Sequence, residues 1–566
     1  MYLDCVVSIP DVPGKINKQK KGDSEYIRYV IGRTYHPDKK YNIPDQRIIG
    51  KRSKDDPTMM IPNENFLRYF SDIELPEIRR NSMRSSCLRV GTYLVLRKII
   101  NECNLPAILG KYFDTKGLGL FLDFAAYSIV CESNAAQYYP DYAYNHPLFT
   151  EKMHMYSDTK VSDFFVSVTA EQSIGFLNEW NASRDHREKI YISYDSTNKN
   201  CQAGDIEMVE FGHAKDNGDL PIFNYSIAYD TNNRDPLFYE QYPGSIIDVS
   251  QLQFMVDKAK GYGYKHVGFI LDRGYFCKEN IRYMDECGYE FVIMIKGMAS
   301  LVRDIILKNK GKFENNRKCS IRRYKTYGMT INRELYASDK EERYFHLFYS
   351  SQKEYAEREQ VEAKVERMTK YLKKQEGKAV TIGDGYKQYF HLEMDANNEV
   401  FFSARERADV IEEEISLCGY FVIVTSKKMS AKEALELYKS RDSSEKLFRG
   451  DKSYLGNKSL RVQSDEAASA KIFIEFIALI IRCKIYTLLQ DEMMRLEKKP
   501  NFMTVPAALK ELEKIEMVRQ LDGRYRLDHA VTATQKTILN AFQMDSDYIK
   551  VMSNELSDLI YKYEEV

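Results

Sequence analysis

Two stretches, IYISYD at residues 190–195 and HVGFILD at residues 266–272, predict the fold of the chain. The first alternates as a β-strand does and ends on Asp195. The second is a continuous apolar run that ends on Asp272, which is typical of a strand buried on both faces of a partly parallel sheet. Ligands of such sheets lie beyond the carboxyl ends of the strands, where we expect both aspartates. A third carboxylate, Glu445, lies in a helical pattern, so the fold must bring the three together.

The helical pattern around Glu445 is YKSRDSSEKLFRGDK, residues 438–452. Tyr438, Arg441, Glu445 and Lys452 recur at i, i+3, i+7 and i+14, which places them on one stripe of a helix. Arginine offers a fork for phosphate oxygens and lysine offers a point charge. The stripe therefore predicts contact with a phosphate-bearing substrate, and packing in the core is the alternative.

Three carboxylates gathered in one pocket predict a metal site. The three candidate ligands are hard carboxylate oxygens and include no Cys or His, which favours Mg²⁺ or Mn²⁺ over zinc. Two such ions about 3.5 to 4 Å apart activate an attacking oxygen and stabilise a leaving oxygen in an in-line displacement. The predicted chemistry is therefore two-metal phosphoryl transfer without a covalent protein nucleophile.

These motifs resemble those of the DDE transposases of bacterial insertion sequences, in the group whose third motif has the form Y-(2)-R-(3)-E-(6)-K. The resemblance also covers the DRG turn at residues 272–274 and GHAKD at residues 212–216, and it spans about residues 186–490. It implies two Mg²⁺ ions per active site, with Mn²⁺ as a substitute, held by the three catalytic carboxylates. It also favours DNA contacts, for which the candidates are Tyr438, Arg441, Lys452, His213, Lys215, Arg322 and Arg323.

The basic residues are distributed unevenly, although 83 Lys and Arg balance 83 Asp and Glu in the whole chain. Residues 1–54 hold 12 basic and 6 acidic side chains. The run at residues 308–325, which includes Arg322 and Arg323, holds eight basic side chains and one acidic side chain, Glu314. Such runs are ordinarily solvated surface, but beside a phosphoryl-transfer site we favour contact with DNA phosphates.

The expected fold class is α/β. The element order β-β-β-α-β-α-β from residue 190 predicts an RNase H-like mixed sheet with flanking helices. The resemblance implies a β-rich insertion before the third carboxylate. The predicted domains are a small β-rich module at 1–75, a helical DNA-binding region at 76–187, the first catalytic part at 188–298, the insertion at 299–415, the second catalytic part with the YREK helix at 416–495, and a helical C-terminal tail at 496–566.

The sequence predicts a cytoplasmic protein that joins the bacterial nucleoid when bound to DNA. Ten cysteines form no C-x-x-C pair and nine histidines show no ligand spacing, so neither zinc nor a disulfide framework is indicated. The N-terminus carries no secretory signal. Charged residues interrupt the apolar stretch at 470–489, which indicates a buried helix and no membrane span.

The leading functional hypothesis is a cut-and-paste transposase that binds terminal inverted repeats, cleaves there and joins the ends to target DNA. We expect a homodimer on paired ends, with the tail supplying contacts. The resemblance suggests a hairpin intermediate, in which a flipped base stacks on an aromatic side chain. The single tryptophan, Trp180, precedes Asp195, so the candidates are Tyr324, Tyr327, Tyr336 and Tyr344, and packing of these tyrosines as strand residues against the sheet is the alternative. The alternatives are a structure-specific nuclease without strand transfer and a catalytically retired DNA-binding protein.

Overall fold

The structure is a computed structural model, and the chain divides into two compact units. Unit 1 holds the described residues of Met1–Phe176, Asp451–Asn457 and Glu466–Val566, and unit 2 those of Leu177–Gly450 and Lys458–Asp465. The structure describes residues 2–3, 5–22, 24–37, 39–53, 56–73, 83–201, 206–212, 220–246, 248–296, 298–339, 342–395, 397, 400–442, 455, 459–520 and 522–564.

Unit 1 begins with an antiparallel sheet, the N-terminal sheet, whose strand order is β1-β5-β4-β3-β2. Its strands are β1 (Val7–Ser8), β2 (Ile16–Lys21), β3 (Ser24–His36), β4 (Tyr41–Arg52) and β5 (Met59–Pro62). Helix α1 (Glu64–Tyr69) follows, capped by the Asn63 side chain, and its Phe66 packs with Ile27, Ile49 and Met60. Strands β3 and β4, the longest of this sheet, lie within the region predicted to be β-rich.

The helical part of unit 1 follows a short strand. The elements are β6 (Cys87–Arg89), α2 (Gly91–Glu102), α3 (Leu105–Leu109), α4 (Thr115–Cys131), α5 (Tyr139–Asn145) and α6 (Asp158–Ser167). Helix α7 (Ala170–Ala182) begins in unit 1 and ends in unit 2. Helices α2 and α4 lie in the region predicted to be helical, and both are largely buried. Tertiary burial of apolar faces therefore stabilises these helices.

Unit 2 is built on a mixed sheet, the central sheet. Its first elements are β7 (Ile190–Asn200), β8 (Ile222–Asp230), β9 (Asp235–Pro243), α8 (Asp248–Gly261), β10 (Val267–Leu271), α9 (Lys278–Glu286) and β11 (Glu290–Met294). The predicted order β-β-β-α-β-α-β is confirmed. Strands β7, β10 and β11 are parallel, whereas β8 and β9 continue antiparallel beyond β7.

The predicted insertion divides between two sheets. Its elements are α10 (Ala299–Asn309), β12 (Ser320–Ile321), β13 (Thr326–Arg333), β14 (Arg343–Tyr349), α11 (Ser351–Gln375), β15 (Lys378–Ala379), α12 (Asp384–Lys387), β16 (Phe390–Met394), β17 (Val400–Glu406) and α13 (Ala408–Ser416), and after it come β18 (Tyr420–Thr425) and α14 (Ala431–Ser440). Strands β12, β13 and β14 extend the central sheet past β18, and the pairing of β14 with β18 satisfies its backbone hydrogen bonds on that side. Strands β15, β17 and β16 form a small sheet of their own.

The C-terminal elements return to unit 1. They are α15 (Asp465–Arg495), α16 (Val505–Leu512), β19 (Glu516–Arg519), β20 (Tyr525–Leu527), α17 (Ala533–Ala541) and α18 (Ser546–Glu564). From Glu466 onward α15 packs within unit 1, so the predicted domain at 416–495 includes elements of both units. The tail also differs from the helical prediction, because β19 pairs with β6 and β20.

Candidate active site

The parallel pairing of β7 and β10 brings two predicted catalytic residues together. Tyr194 of β7 pairs with Leu271, the last residue of β10, so the residues that follow them in the chain, Asp195 and Asp272, are level. The backbone of Asp272 stays extended, with φ −68° and ψ 156°, so it continues the direction of β10. Level residues of paired strands point to one face, and neighbouring strands lie about 4.8 Å apart. One face of the central sheet therefore presents two adjacent carboxylates.

Local backbone donors help to hold both carboxylates. The Asp195 carboxylate accepts the Ser196 N–H at 2.9 Å, and the Asp272 carboxylate accepts the Arg273 N–H at 2.7 Å. The Asp272 side chain is 39% exposed, so it remains open to solvent and to a ligand. Such a carboxylate keeps lone pairs available for a cation.

The expected position of Asp195 at a strand end is wrong, whereas that of Asp272 is confirmed. Asp195 lies inside β7, which runs on to Asn200 and pairs with β8 over its whole second half. The residues after Asp195 are polar, and the sheet nevertheless buries them. Ladder pairing with β8 satisfies the backbone there, so polar composition does not end the strand.

Arg441 lies beside the second carboxylate. Its guanidinium Nη1 is 3.3 Å from Asp272 Oδ1, and its side chain is 13% exposed. Helix α14 brings it there, and a capping box lies at the start of that helix. Ser430 Oγ accepts the Glu433 N–H at 3.2 Å, and the Glu433 carboxylate accepts the Ser430 N–H at 2.8 Å. A local sequence signal thus sets the start of the helix that carries Arg441.

Tyr438 lies in the core of unit 2. It is 6% exposed and packs with Ile270, Val292 and Leu435. The Arg441 guanidinium carbon lies 5.5 Å from the centre of the Tyr438 ring, within cation–π range. This burial matches the alternative of core packing and differs from the surface position that a DNA contact needs. In this structure the ring supports the guanidinium.

Four of the predicted site residues lie outside the described residues: Glu445, Lys452, His213 and Lys215. In the described part of the chain no group of three or more Asp, Glu, His or Cys side chains could hold a metal ion. The described site therefore consists of two carboxylates and one guanidinium.

Arg322 and Arg323 lie at the far end of the central sheet, next to β12. Both are exposed, and the Arg323 guanidinium carbon is 5.5 Å from the centre of the Tyr324 ring. The other basic residues of the run at 308–325 are exposed too. The acidic exception, Glu314, is buried and accepts hydrogen bonds from the Gly311 and Phe313 N–H groups, so it anchors the run.

Lys199 is a residue that the sequence interpretation missed. It is fully buried on β7, four residues after Asp195, so alternation places it on the face that carries the carboxylates. Its Nζ lies 4.9 Å from the centre of the Tyr225 ring. The signal was available, because D-x-x-x-K within a strand puts a cation and a carboxylate on one face.

The chain belongs to the family of proteins with a transposase DDE domain, whose family model matches residues 195–481. The match begins at the first of the two adjacent carboxylates. No curated protein matches the chain. Among the described residues no helix has the length and apolarity to span a membrane.

A solved structure similar to this chain is a piggyBac transposase synaptic complex with hairpin DNA, determined by cryo-electron microscopy. The two share 6% sequence identity with a TM-score of 0.33, over 73% of this chain. The chain spans 62% of the length of that protein.

Proposed function

We propose that this chain is a cut-and-paste DDE transposase of the YREK-signature group, from a bacterial insertion sequence. It binds the terminal inverted repeats of its element, cleaves there and joins the ends to target DNA. The observation that carries the proposal is the register of β7 and β10, which sets Asp195 beside Asp272. Membership of the transposase DDE domain family supports it.

The proposed catalytic domain is RNase H-like. Its support is the strand order β9-β8-β7-β10-β11, in which β7, β10 and β11 are parallel. The catalytic parts are residues 188–298 and 416–495, with 299–415 as an insertion, and the remaining predicted regions are accessory.

The donors at the site fit Mg²⁺ or Mn²⁺. Asp195 and Asp272 supply the hard carboxylate oxygens that these ions prefer, and a cation, Arg441, already lies next to Asp272. We propose Glu445 as the third ligand. Two bound ions would supply activation of the attacking oxygen and stabilisation of the leaving oxygen.

Arg441 has two tasks in this proposal. Without DNA its guanidinium neutralises part of the charge of Asp272 and keeps that carboxylate oriented. With DNA bound, its fork can hold a phosphate next to the carboxylates, because arginine matches phosphate oxygens in a bidentate manner. The buried Tyr438 ring beneath it limits its motion.

The wider assembly is part of the proposal. Lys452, His213, Lys215, Arg322 and Arg323 are the proposed contacts to DNA phosphates, and a homodimer would pair two ends. The tail gives the dimer less support than its sequence suggested. Its apolar residues Leu509, Leu512 and Ile515 are buried within this chain.

A joining assay tests the proposal. Wild-type protein is mixed with a labelled duplex that carries a pre-cut element end, a supercoiled plasmid and Mg²⁺. We expect joined product from wild type and from Asp409→Asn, an exposed carboxylate on α13 that serves as the matched control, and none from Asp272→Asn. Cleavage without joining would indicate the nuclease instead. Binding without either reaction would indicate the retired protein.

A further inference from the structure

The N-terminal sheet carries a β-ribbon that extends beyond its other strands. Strand β2 pairs with β3 over residues 24–29, and β5 pairs with β4 over residues 50–52. Within the described ranges, residues 31–36 of β3 and 41–46 of β4 pair only with each other, whereas the Val30 N–H donates to the Lys15 carbonyl oxygen at 2.8 Å. At about 3.3 Å per residue this segment extends roughly 20 Å. We call residues 30–47 the ribbon arm.

Apart from buried Val30, the described residues of the ribbon arm are open to solvent in whole or in part. Tyr35 is 59% exposed and Tyr41 is 56% exposed, and Ile31, Arg33 and Arg47 are exposed as well. A ribbon of two strands without a packed face gains little stability from burial. Its side chains are therefore available to a partner.

The charge of the ribbon arm suits an anionic partner. Its basic residues are Arg33, Lys39, Lys40 and Arg47, and its acidic residues are Asp38 and Asp45. At the tip, Lys40 has a left-handed backbone with φ 54°, and its N–H donates to the His36 carbonyl oxygen at 3.0 Å. This bond closes the turn and leaves Lys39 and Lys40 exposed at the far end of the arm.

The edges of the ribbon arm disfavour pairing with a strand from a second copy of the chain. Pro44 removes an N–H donor from β4, and the lysines at the tip add like charge. The pairing shifts between Val30 and Gly32, and such bulges increase the local twist of a ribbon. A twisted, basic ribbon of two strands has the shape that the major groove of DNA admits.

We propose that the ribbon arm enters a groove of duplex DNA, with Lys39 and Lys40 at its tip on phosphates and the face that carries Arg33, Tyr35 and Asn42 toward the groove. The inference rests on the proposed function, because it names the surface with which the transposase holds its DNA. It assigns to the arm a DNA-holding role apart from the catalytic carboxylates.

Fluorescence anisotropy with a labelled duplex of random sequence tests the arm. We compare wild type, Lys39→Ala/Lys40→Ala and the matched control Lys498→Ala/Lys499→Ala, a second exposed lysine pair in unit 1. Removal of one lysine that binds a phosphate lowers the slope of log affinity against log salt by about 1. We expect the arm variant to bind about tenfold more weakly at low salt, with its slope reduced by about 2, and the control to match wild type. Equal binding by the arm variant would overturn the proposal.

Two further measurements separate the possible failures. The same proteins are tested in the joining assay at saturating concentration. If wild type binds the duplex through the arm but neither cuts nor joins, the proposed function fails and the arm stands. Analytical ultracentrifugation without DNA tests whether the arm binds a second copy of the chain instead. If Lys39→Ala/Lys40→Ala converts a dimer to a monomer, the arm belongs to a second copy of the chain and the DNA proposal is overturned.

Discussion

Asp272 in unit 2 and Asp123 in unit 1 are the same side chain in opposite settings. Asp123 is fully buried, accepts the Phe149 N–H at 2.6 Å and the Thr150 N–H at 3.1 Å, and burial raises its pKa to about 7. Asp272 is part exposed and lies level with Asp195. A carboxylate that is enclosed by backbone donors therefore holds a loop in place, whereas a carboxylate left open beside a second carboxylate can bind a cation.

The largest expected effect concerns the open pair. Asp195→Asn or Asp272→Asn should lower the rates of cleavage and joining by roughly 10³-fold or more, because each removes a charged metal ligand. Duplex binding should change little, because phosphate contacts elsewhere supply it. Gel assays with labelled ends give the rates. Asp123→Asn is the control and should keep the wild-type rates of cleavage and joining. A comparable loss of rate in Asp123→Asn would show that the open and the buried carboxylate do not differ in function.

Arg441 should have a smaller effect on activity. Arg441→Gln removes the cation next to Asp272, and we expect the rate of joining to fall about 10- to 100-fold, as for residues that orient a metal ligand. Arg441→Lys keeps the charge but loses the fork, so it should recover part of the loss. Joining rates against Mn²⁺ concentration check the positioning role, because Arg441→Gln should also shift the concentration that gives half-maximal rate. An unchanged midpoint in both variants would argue against it.

The buried setting predicts a pH dependence of stability. The folded protein keeps Asp123 protonated up to about pH 7, whereas the unfolded chain ionises it from about pH 4. The folded state therefore binds more protons in this window, and the stability from Asp123 falls as pH rises from 4 to 7, by at most about 1.4 kcal/mol per pH unit. Thermal melts of wild type and Asp123→Asn should show the wild-type advantage shrinking over that range. A constant difference would mean that Asp123 is ionised in the fold.

His346 in unit 2 should give the opposite slope. It is fully buried on β14, lies within hydrogen-bond distance of Thr330 and Thr425, and burial lowers its pKa to about 4. The unfolded chain binds the proton first below about pH 6.5, so the stability from His346 is lost as pH falls from 6.5 to 4. The difference in melting temperature between wild type and His346→Gln should shrink as the solution is acidified. A difference that grows on acidification would refute a neutral imidazole.

Local signals made the first part of the central sheet predictable. Alternation gave the start of β7, an apolar run gave β10, and Ser430 with Glu433 gave the start of α14. Pairing between distant residues left no such signal. The partner of β19 is β6, more than 400 residues earlier, and β14 joins the central sheet through β18.

The sequence predicted the two carboxylates of the candidate site better than it predicted the residues around them. The sequence pointed to Asp195 and Asp272, but their equal level depends on the register of two strands. The burial of Tyr438 and the contact of Arg441 with Asp272 depend on how α14 packs against the sheet. Helical periodicity defines a stripe of residues, but it does not say which part of that stripe the sheet covers.

Asp195 and Asp272 form one cation site in this proposal. Binding of Mn²⁺ to the protein tests that site without a DNA substrate. Electron paramagnetic resonance of free Mn²⁺ is recorded during titration of wild type, Asp195→Asn, Asp272→Asn and the control Asp409→Asn. We expect Asp195→Asn and Asp272→Asn each to weaken binding by at least about tenfold, because each removes a direct ligand, with the control equal to wild type. Wild-type affinity in both Asp195→Asn and Asp272→Asn would contradict the claim.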